Sequence, residues 1–218
     1  MCIHVDTSQQ NFDLAMASCQ SNKQVIQHLQ TAGVTLTELI IAMAIMATLL
    51  TMAIPAFNTM VTKNRLVAQA NYFLGAIYLA RSEAVKRGTT VSICKSADGL
   101  TCGKSANGVT WSKGWIVFVN TDNDKPADVD TDETILRASS ALPNGYTLNP
   151  NNNFTNYITY NSLGRANNIG TFVICANSDE TTAKAIVIIR TRPRIAKDTD
   201  GDGIPNKSSG NIGSCETP

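Results

Sequence analysis

From Leu39 to Ile54 the chain reads LIIAMAIMATLLTMAI, sixteen residues without a charge, and extending the run back to Val34 adds only Glu38. As a helix, residues 34–54 span about 32 Å, enough to cross the hydrocarbon core of a membrane. The run follows a polar stretch, SNKQVIQHLQTAG, whose one full charge is Lys23. A secretory signal peptide fits this badly, because the polar leader ends in a glycine directly before the apolar run. Pro55 lacks an N–H and clashes with the preceding turn, which marks a place for the helix to kink or melt locally. The helical pattern then resumes with Leu66, Ala70, Phe73, Ile77, Ala80 and Ala84 at three- and four-residue spacing, while Lys63, Arg65, Arg81 and Lys86 fall elsewhere. This predicts an amphipathic helix that continues to Arg87 and stops at Gly88.

The apolar stripe needs a cover, and the remaining chain supplies short strand-like segments separated by Gly, Asn, Asp and Pro. They lie at residues 90–94, 115–119, 134–137, 146–148, 157–160, 171–175 and 185–190, with Pro143-Asn144-Gly145 as a turn signal. The predicted class is α+β, with an antiparallel sheet packed on one long helix.

At 218 residues, with 43% hydrophobic and 16% charged residues, the chain holds one domain with its own core plus a separate segment. A net charge of +1 means that any attraction to nucleic acid comes from a local cluster. Both histidines, His4 and His28, precede Gly33, as do Cys2 and Cys19. Beyond Gly33 the sequence has no histidine for acid, base or metal chemistry, and no GxSxG or zinc motif occurs. The chain is therefore expected not to be an enzyme. The four later cysteines, Cys94, Cys102, Cys175 and Cys215, form an even set in a polar, strand-rich region, which points to an oxidising compartment.

Glu38 is a carboxylate one turn into a membrane-length helix, where a charge is costly and normally has a partner or a task. Its surroundings, Gly33-Val34-Thr35-Leu36-Thr37-Glu38-Leu39, then the apolar run and Pro55, resemble the type IV prepilin signature. That resemblance implies that a prepilin peptidase cuts after Gly33 and methylates the amine of Val34. It also implies that Glu38 meets the N-terminal amine of a neighbouring subunit or its own, a pairing that offsets two buried charges. Valine replaces the usual phenylalanine at the first mature position, Thr37 takes a site that is often apolar, and Met16 is an alternative start giving a shorter leader.

A closer resemblance covers residues 33–218. The order is the long helix, Cys94 with Cys102, Gly114-Trp115-Ile116-Val117-Phe118-Val119, an Asp/Asn loop and Ile135-Leu136-Arg137. Tyr160-Asn161-Ser162-Leu163-Gly164-Arg165 and Phe172-Val173-Ile174-Cys175 complete it, and the whole is similar to the GspH/FimT family. That family comprises minor pilins of type IV pili and minor pseudopilins of type II secretion, and it implies the pilin fold. The implied organisation is a removed leader at 1–33, a transmembrane and assembly half-helix at 34–57, an amphipathic half at 58–88 and a β-rich head at 89–218. The implied setting is the bacterial inner membrane, crossed once, with the head in the periplasm and the chain later in a pilus or pseudopilus. The implied partners are other pilins or pseudopilins.

Four cysteines allow three pairings. The expected one joins Cys94 to Cys102 around Asp98-Gly99, and Cys175 to Cys215, fastening the C-terminal tail. Arg190, Arg192, Arg194 and Lys197 form the strongest cationic cluster; on an extended strand the three arginines make a row about 7 Å apart, close to the phosphate spacing of a nucleic-acid strand. Arg192 and Arg194 also resemble the GRxR motif of DNA-binding FimT-like pilins, with Thr191 in place of its glycine. Asp198, Asp200, Asp202 and Gly203 match the first half of an EF-hand-like calcium loop, although Ser209 stands where the bidentate glutamate belongs and Pro205 interrupts the segment. Calcium is the one cofactor candidate. The Thr121–Glu133 stretch, with six acids, reads as a solvated loop. Together these readings favour a minor pilin of a type IV pilus that also holds DNA for uptake, with a type II secretion pseudopilin as the alternative.

Overall fold

The computed structural model describes residues 33–207 and 210–216. His4, His28, Cys2, Cys19 and Met16, and Ser209 of the C-terminal loop, lie outside the described residues.

Helix α1 runs from Leu36 to Arg87 without a break at Pro55. It ends where Gly88 adopts a φ of 67°, a left-handed conformation that glycine reaches without steric cost. The chain forms two compact units. The first ends at Met52, and within it no helical side chain is buried. The second begins at Ala53, and in it Leu66, Ala70, Phe73, Ala76, Ile77, Ala80 and Ala84 form a buried stripe at helical spacing. Four of these are alanines, which lets the helix axis approach the sheets closely.

Among the described residues ten strands follow: β1 (Thr90–Lys95), β2 (Trp115–Asn120), β3 (Ile135–Ser139), β4 (Tyr146–Pro150), β5 (Tyr157–Tyr160), β6 (Gly170–Ala176), β7 (Asp179–Ile189), β8 (Arg192–Ile195), β9 (Asn206–Lys207) and β10 (Gly210–Asn211). They make two four-stranded antiparallel sheets rather than one, in the orders β3-β2-β1-β5 and β4-β6-β7-β8, with β9 and β10 as a separate pair. The division arises because β4 pairs with β6 and not with its neighbour β5, so the middle of the chain changes sheet between them.

Both sheets present their inner faces to α1. Val91, Ile93, Val117 and Ile158 from the first, and Leu148, Phe172, Ile174, Ile186 and Ile188 from the second, share one cluster with the helix stripe. Phe73 sits at its centre. Its ring lies 5.8 Å from Trp111 and 5.6 Å from Trp115 in edge-to-face geometry, and 4.9 Å from Phe172, arrangements that the aromatic quadrupole favours.

The outer faces are covered as well, so β1, β2 and β6 are buried on both sides. Ala127 and Val129, from the acidic loop, cover Cys94, Ile116 and Phe118 of the first sheet. The C-terminal tail brings Ala196, Ile212 and Cys215 onto Val173, Cys175, Ala185 and Val187 of the second. The disulfides are Cys94–Cys102 and Cys175–Cys215, with sequence separations of 8 and 40, and the second ties that tail down. Constraint of the unfolded chain by a loop of the larger size contributes about 4 kcal/mol, against about 2.5 kcal/mol for the smaller.

Two elements depart from the sequence expectation. Strand β7 starts at Asp179, before the expected residue 185, because its first half alternates exposed and half-buried polar residues instead of running apolar. It is entered through Asn177 and Ser178, both with positive φ (52° and 59°), the two-residue hairpin geometry that matches strand twist. The strand expected to continue through Arg190 ends at Ile189, and a second hairpin starts β8 at Arg192. Because Phe73 joins α1 to both sheets, Phe73→Ala is expected to lower stability by about 3–5 kcal/mol. Val67→Ala, on the exposed side of the same helix, is expected to change it by less than about 0.5 kcal/mol. Denaturant unfolding of the oxidised protein in detergent measures both.

Candidate functional site

Three groups of residues carry chemistry that the core does not need. The first is the start of α1. Gly33, Val34 and Thr35 precede the helix, and Thr35 Oγ1 accepts a 3.2 Å hydrogen bond from the Glu38 backbone N–H. Thr35 is thus the N-cap, and Glu38 stands three residues on, in the order of a capping box. The signal was legible as Thr-x-x-Glu before an apolar run, but the prepilin-like pattern drew attention to Glu38 alone. Glu38 is also placed where the helix dipole favours negative charge. Among the described residues nothing donates a hydrogen bond to its carboxylate.

From Val34 to Met52 the large apolar side chains are 51% to 77% exposed. The helix is apolar on all its sides here, and it is long and apolar enough to cross a membrane. Its polar side chains are satisfied locally: Thr48 donates to the Ile45 carbonyl at 2.8 Å, Thr51 to Thr48 at 2.7 Å, and Thr59 to Pro55 at 3.1 Å. These hydroxyls bring no unpaired donor to an apolar surrounding.

The second group is the β7–β8 hairpin. The expected row of three arginines is a row of two. Ile189 pairs with Arg192 and Val187 with Arg194, which leaves Arg190 and Thr191 as the turn. Neither turn residue has a positive φ, so threonine is accommodated where the resembling motif has glycine. Arg192 and Arg194 are exposed on one side of β8, with Pro193 buried between them; the Pro193 carbonyl accepts a 2.8 Å hydrogen bond from Tyr78 of α1. Arg190 and Lys197 are exposed too, and among the described residues no acid pairs with any of the four.

The third group is acidic. The carboxylate oxygens of Asp198, Asp200 and Asp202 come within 4.8 Å of one another, all exposed. Each already accepts hydrogen bonds from the loop that carries it. Asp198 takes the N–H groups of Gly201 at 2.7 Å and Gly203 at 2.9 Å, Asp202 takes that of Ile204 at 2.8 Å, and Asp200 takes the Asn206 amide at 3.1 Å. The two glycine donors hold the Asp198 carboxyl below its ordinary range. The Thr121–Glu133 loop is organised in the same way. Glu133 closes it by accepting from Thr121 N–H at 2.7 Å and Asp130 N–H at 3.2 Å, while Asp124 receives Asn120 Nδ2 at 2.8 Å and Asp128 N–H at 3.0 Å. Loss of hydration, followed by the charges of Asp122, Asp124, Asp132 and Asp128, pushes the Asp130 carboxyl above its ordinary range. This loop is therefore a lid over the first sheet and more than a solvated connection.

A family model described as "Type II transport protein GspH" matches residues 69–191. The match takes in the buried stripe of α1 from Ala70 onward and both sheets as far as the β7–β8 turn; the exposed apolar segment, Leu66, Arg192, Arg194 and the C-terminal tail lie beyond it. No curated protein matches the chain significantly. Among solved structures the chain is similar to the type IV minor pilin FimU of Pseudomonas aeruginosa, in two crystal forms. One is matched with 21% identity and a TM-score of 0.48 over 70% of this chain and 96% of that one. The other is matched with 21% identity and a TM-score of 0.47 over 69% and 99%.

Proposed function

The chain belongs to the GspH family, and we propose that it is a minor pilin of a type IV pilus, anchored in the inner membrane by residues 34–57 until it enters the filament. The observation that carries this is the two-part surface of α1. From Leu66 onward its apolar stripe is covered by the chain's own sheets, whereas among the described residues nothing covers the apolar side chains of Leu36–Met52. Lipid and then the helices of neighbouring subunits are the covers that such a surface requires. It is a structural subunit, working by assembly and not by catalysis.

In this reading a prepilin peptidase removes the leader after Gly33. The new amine of Val34 then lies one helical turn from Glu38, and in a bundle of such helices each carboxylate neutralises an amine. The capping position of Glu38 is consistent with this, since its backbone N–H is held by Thr35 while its carboxylate accepts no hydrogen bond among the described residues. The unpaired cations of the β7–β8 hairpin favour a type IV pilus that also holds DNA, through phosphate contacts and without sequence preference. A pseudopilin of type II secretion is the alternative.

Protein extracted from membranes is expected to begin at Val34 with a methylated amine, which intact-mass measurement reads directly; a mature species retaining residues 1–33 contradicts the processing step. Glu38→Gln is expected to leave the chain in the membrane while reducing its incorporation into filaments, and undiminished incorporation removes the charge-pairing role. For DNA, residues 53–218 are expected to shift duplexes of unrelated sequence at low salt. Arg192→Gln with Arg194→Gln is expected to weaken all of them alike and to lower the salt dependence of log K by about two units of slope. Equal binding by the double variant and its parent, or no binding by either, gives first place to the pseudopilin reading.

A further inference from the structure

Lys95 closes β1 with its side chain on the inner side of the sheet, two residues beyond the core residue Ile93. It is only 2% exposed. A lysine is almost never buried to this extent unless it is paired, because its ammonium loses its hydration and has three donors to satisfy. Here one is engaged: Nζ donates to Ser105 Oγ, which in turn donates to Asn156 Oδ1 at 3.2 Å. Among the described residues the ion pairs are those of Glu83 with Lys86 and Arg87, so no carboxylate lies within reach of Lys95. Burial pushes its pKa down.

The same lysine lines a cavity of about 230 Å³, walled also by Thr110, Trp111, Asn149, Asn152 and Glu216. Two of the polar walls are committed elsewhere. The Trp111 indole N–H donates to the Phe154 carbonyl at 3.0 Å, and Asn149 Nδ2 to the Cys215 carbonyl at 2.7 Å. The Thr110 hydroxyl and the Asn152 amide make no hydrogen bond among the described residues. A buried ammonium with spare donors therefore borders this space, and the exposed Thr110 and Asn152 stand at its rim.

We propose that this cavity is a carboxylate-binding site, with the Lys95 ammonium as its charged anchor and Thr110 and Asn152 as further donors. A planar carboxylate offers acceptors to the spare donors of the buried ammonium, and pairing offsets the cost of burying the cation. The carboxylate has two sources, Glu216 of the chain's own tail or an acidic side chain of another molecule. The site does not depend on the assembly reading above.

The test uses the full oxidised chain in detergent micelles, with sodium acetate as the probe and sodium chloride at equal ionic strength as the reference. Acetate is expected to raise the unfolding temperature by several degrees in a saturable way. Lys95→Arg is expected to keep that rise and Lys95→Met to lose it. If Lys95→Met does not fold, lysine-selective nitrogen NMR of the unaltered chain decides, a single Nζ resonance moving saturably with acetate. Glu216→Gln assigns the source. A variant that is less stable than its parent without acetate, and more responsive to it, identifies Glu216 as the resident carboxylate; unchanged behaviour identifies an external one. A rise that is not saturable and is equal in all variants, with no Nζ resonance responding, shows a water-filled cavity only and overturns the proposal.

Discussion

A helix that is apolar on every side for its first turns and on one stripe thereafter has to be covered in two different ways, and the fold follows from that constraint. The stripe from Leu66 to Ala84 sets what the remaining chain must do, since it needs two inner sheet faces arranged around one ring, Phe73. The sheets are in turn buried on their outer faces by the acidic loop and the disulfide-tied tail. Among the described residues nothing comparable covers Leu36–Met52, whose side chains are exposed. That unmet burial, more than any single polar residue, is what the proposed assembly rests on.

Much of this was legible because helical and strand periods leave clear marks. The stripe residues, the stop at Gly88 and most strand positions follow from spacing and turn chemistry. What was not legible has physical reasons. The start of β7 is polar on its exposed face, so an apolar run marks only its second half. The Arg190–Thr191 turn contains neither glycine nor a residue with positive φ, so nothing local distinguishes it from continued strand. The split into two sheets depends on β4 choosing β6 over β5, a long-range pairing that no window of sequence encodes. At the candidate sites the sequence supplied the residues, but not the capping position of Glu38 or the loop hydrogen bonds that occupy the three C-terminal aspartates.

A net charge near zero conceals a segregated surface. Acids are spent on backbone donors: Asp98, Asp124, Glu133 and Asp198 each fasten a loop, and the four donors from Ser96, Leu100 and Thr101 push the Asp98 carboxyl well below the ordinary range. Among the described residues Lys86 and Arg87 pair with Glu83, whereas Arg192 and Arg194, exposed on β8, and the buried Lys95 pair with no acid.

The central claim is that the first half of α1 is an intermolecular surface, and its methionines provide a direct reading. Beyond Gly33 the methionines are Met43, Met46, Met52 and Met60, all within or just after the apolar segment and all exposed in the single chain. Their oxidation by peroxide, followed by mass mapping, is to be compared between sheared filaments and chains released into detergent-free denaturant. The account predicts that all four are strongly protected in the filament. Oxidation there at the rate of the released chain contradicts it.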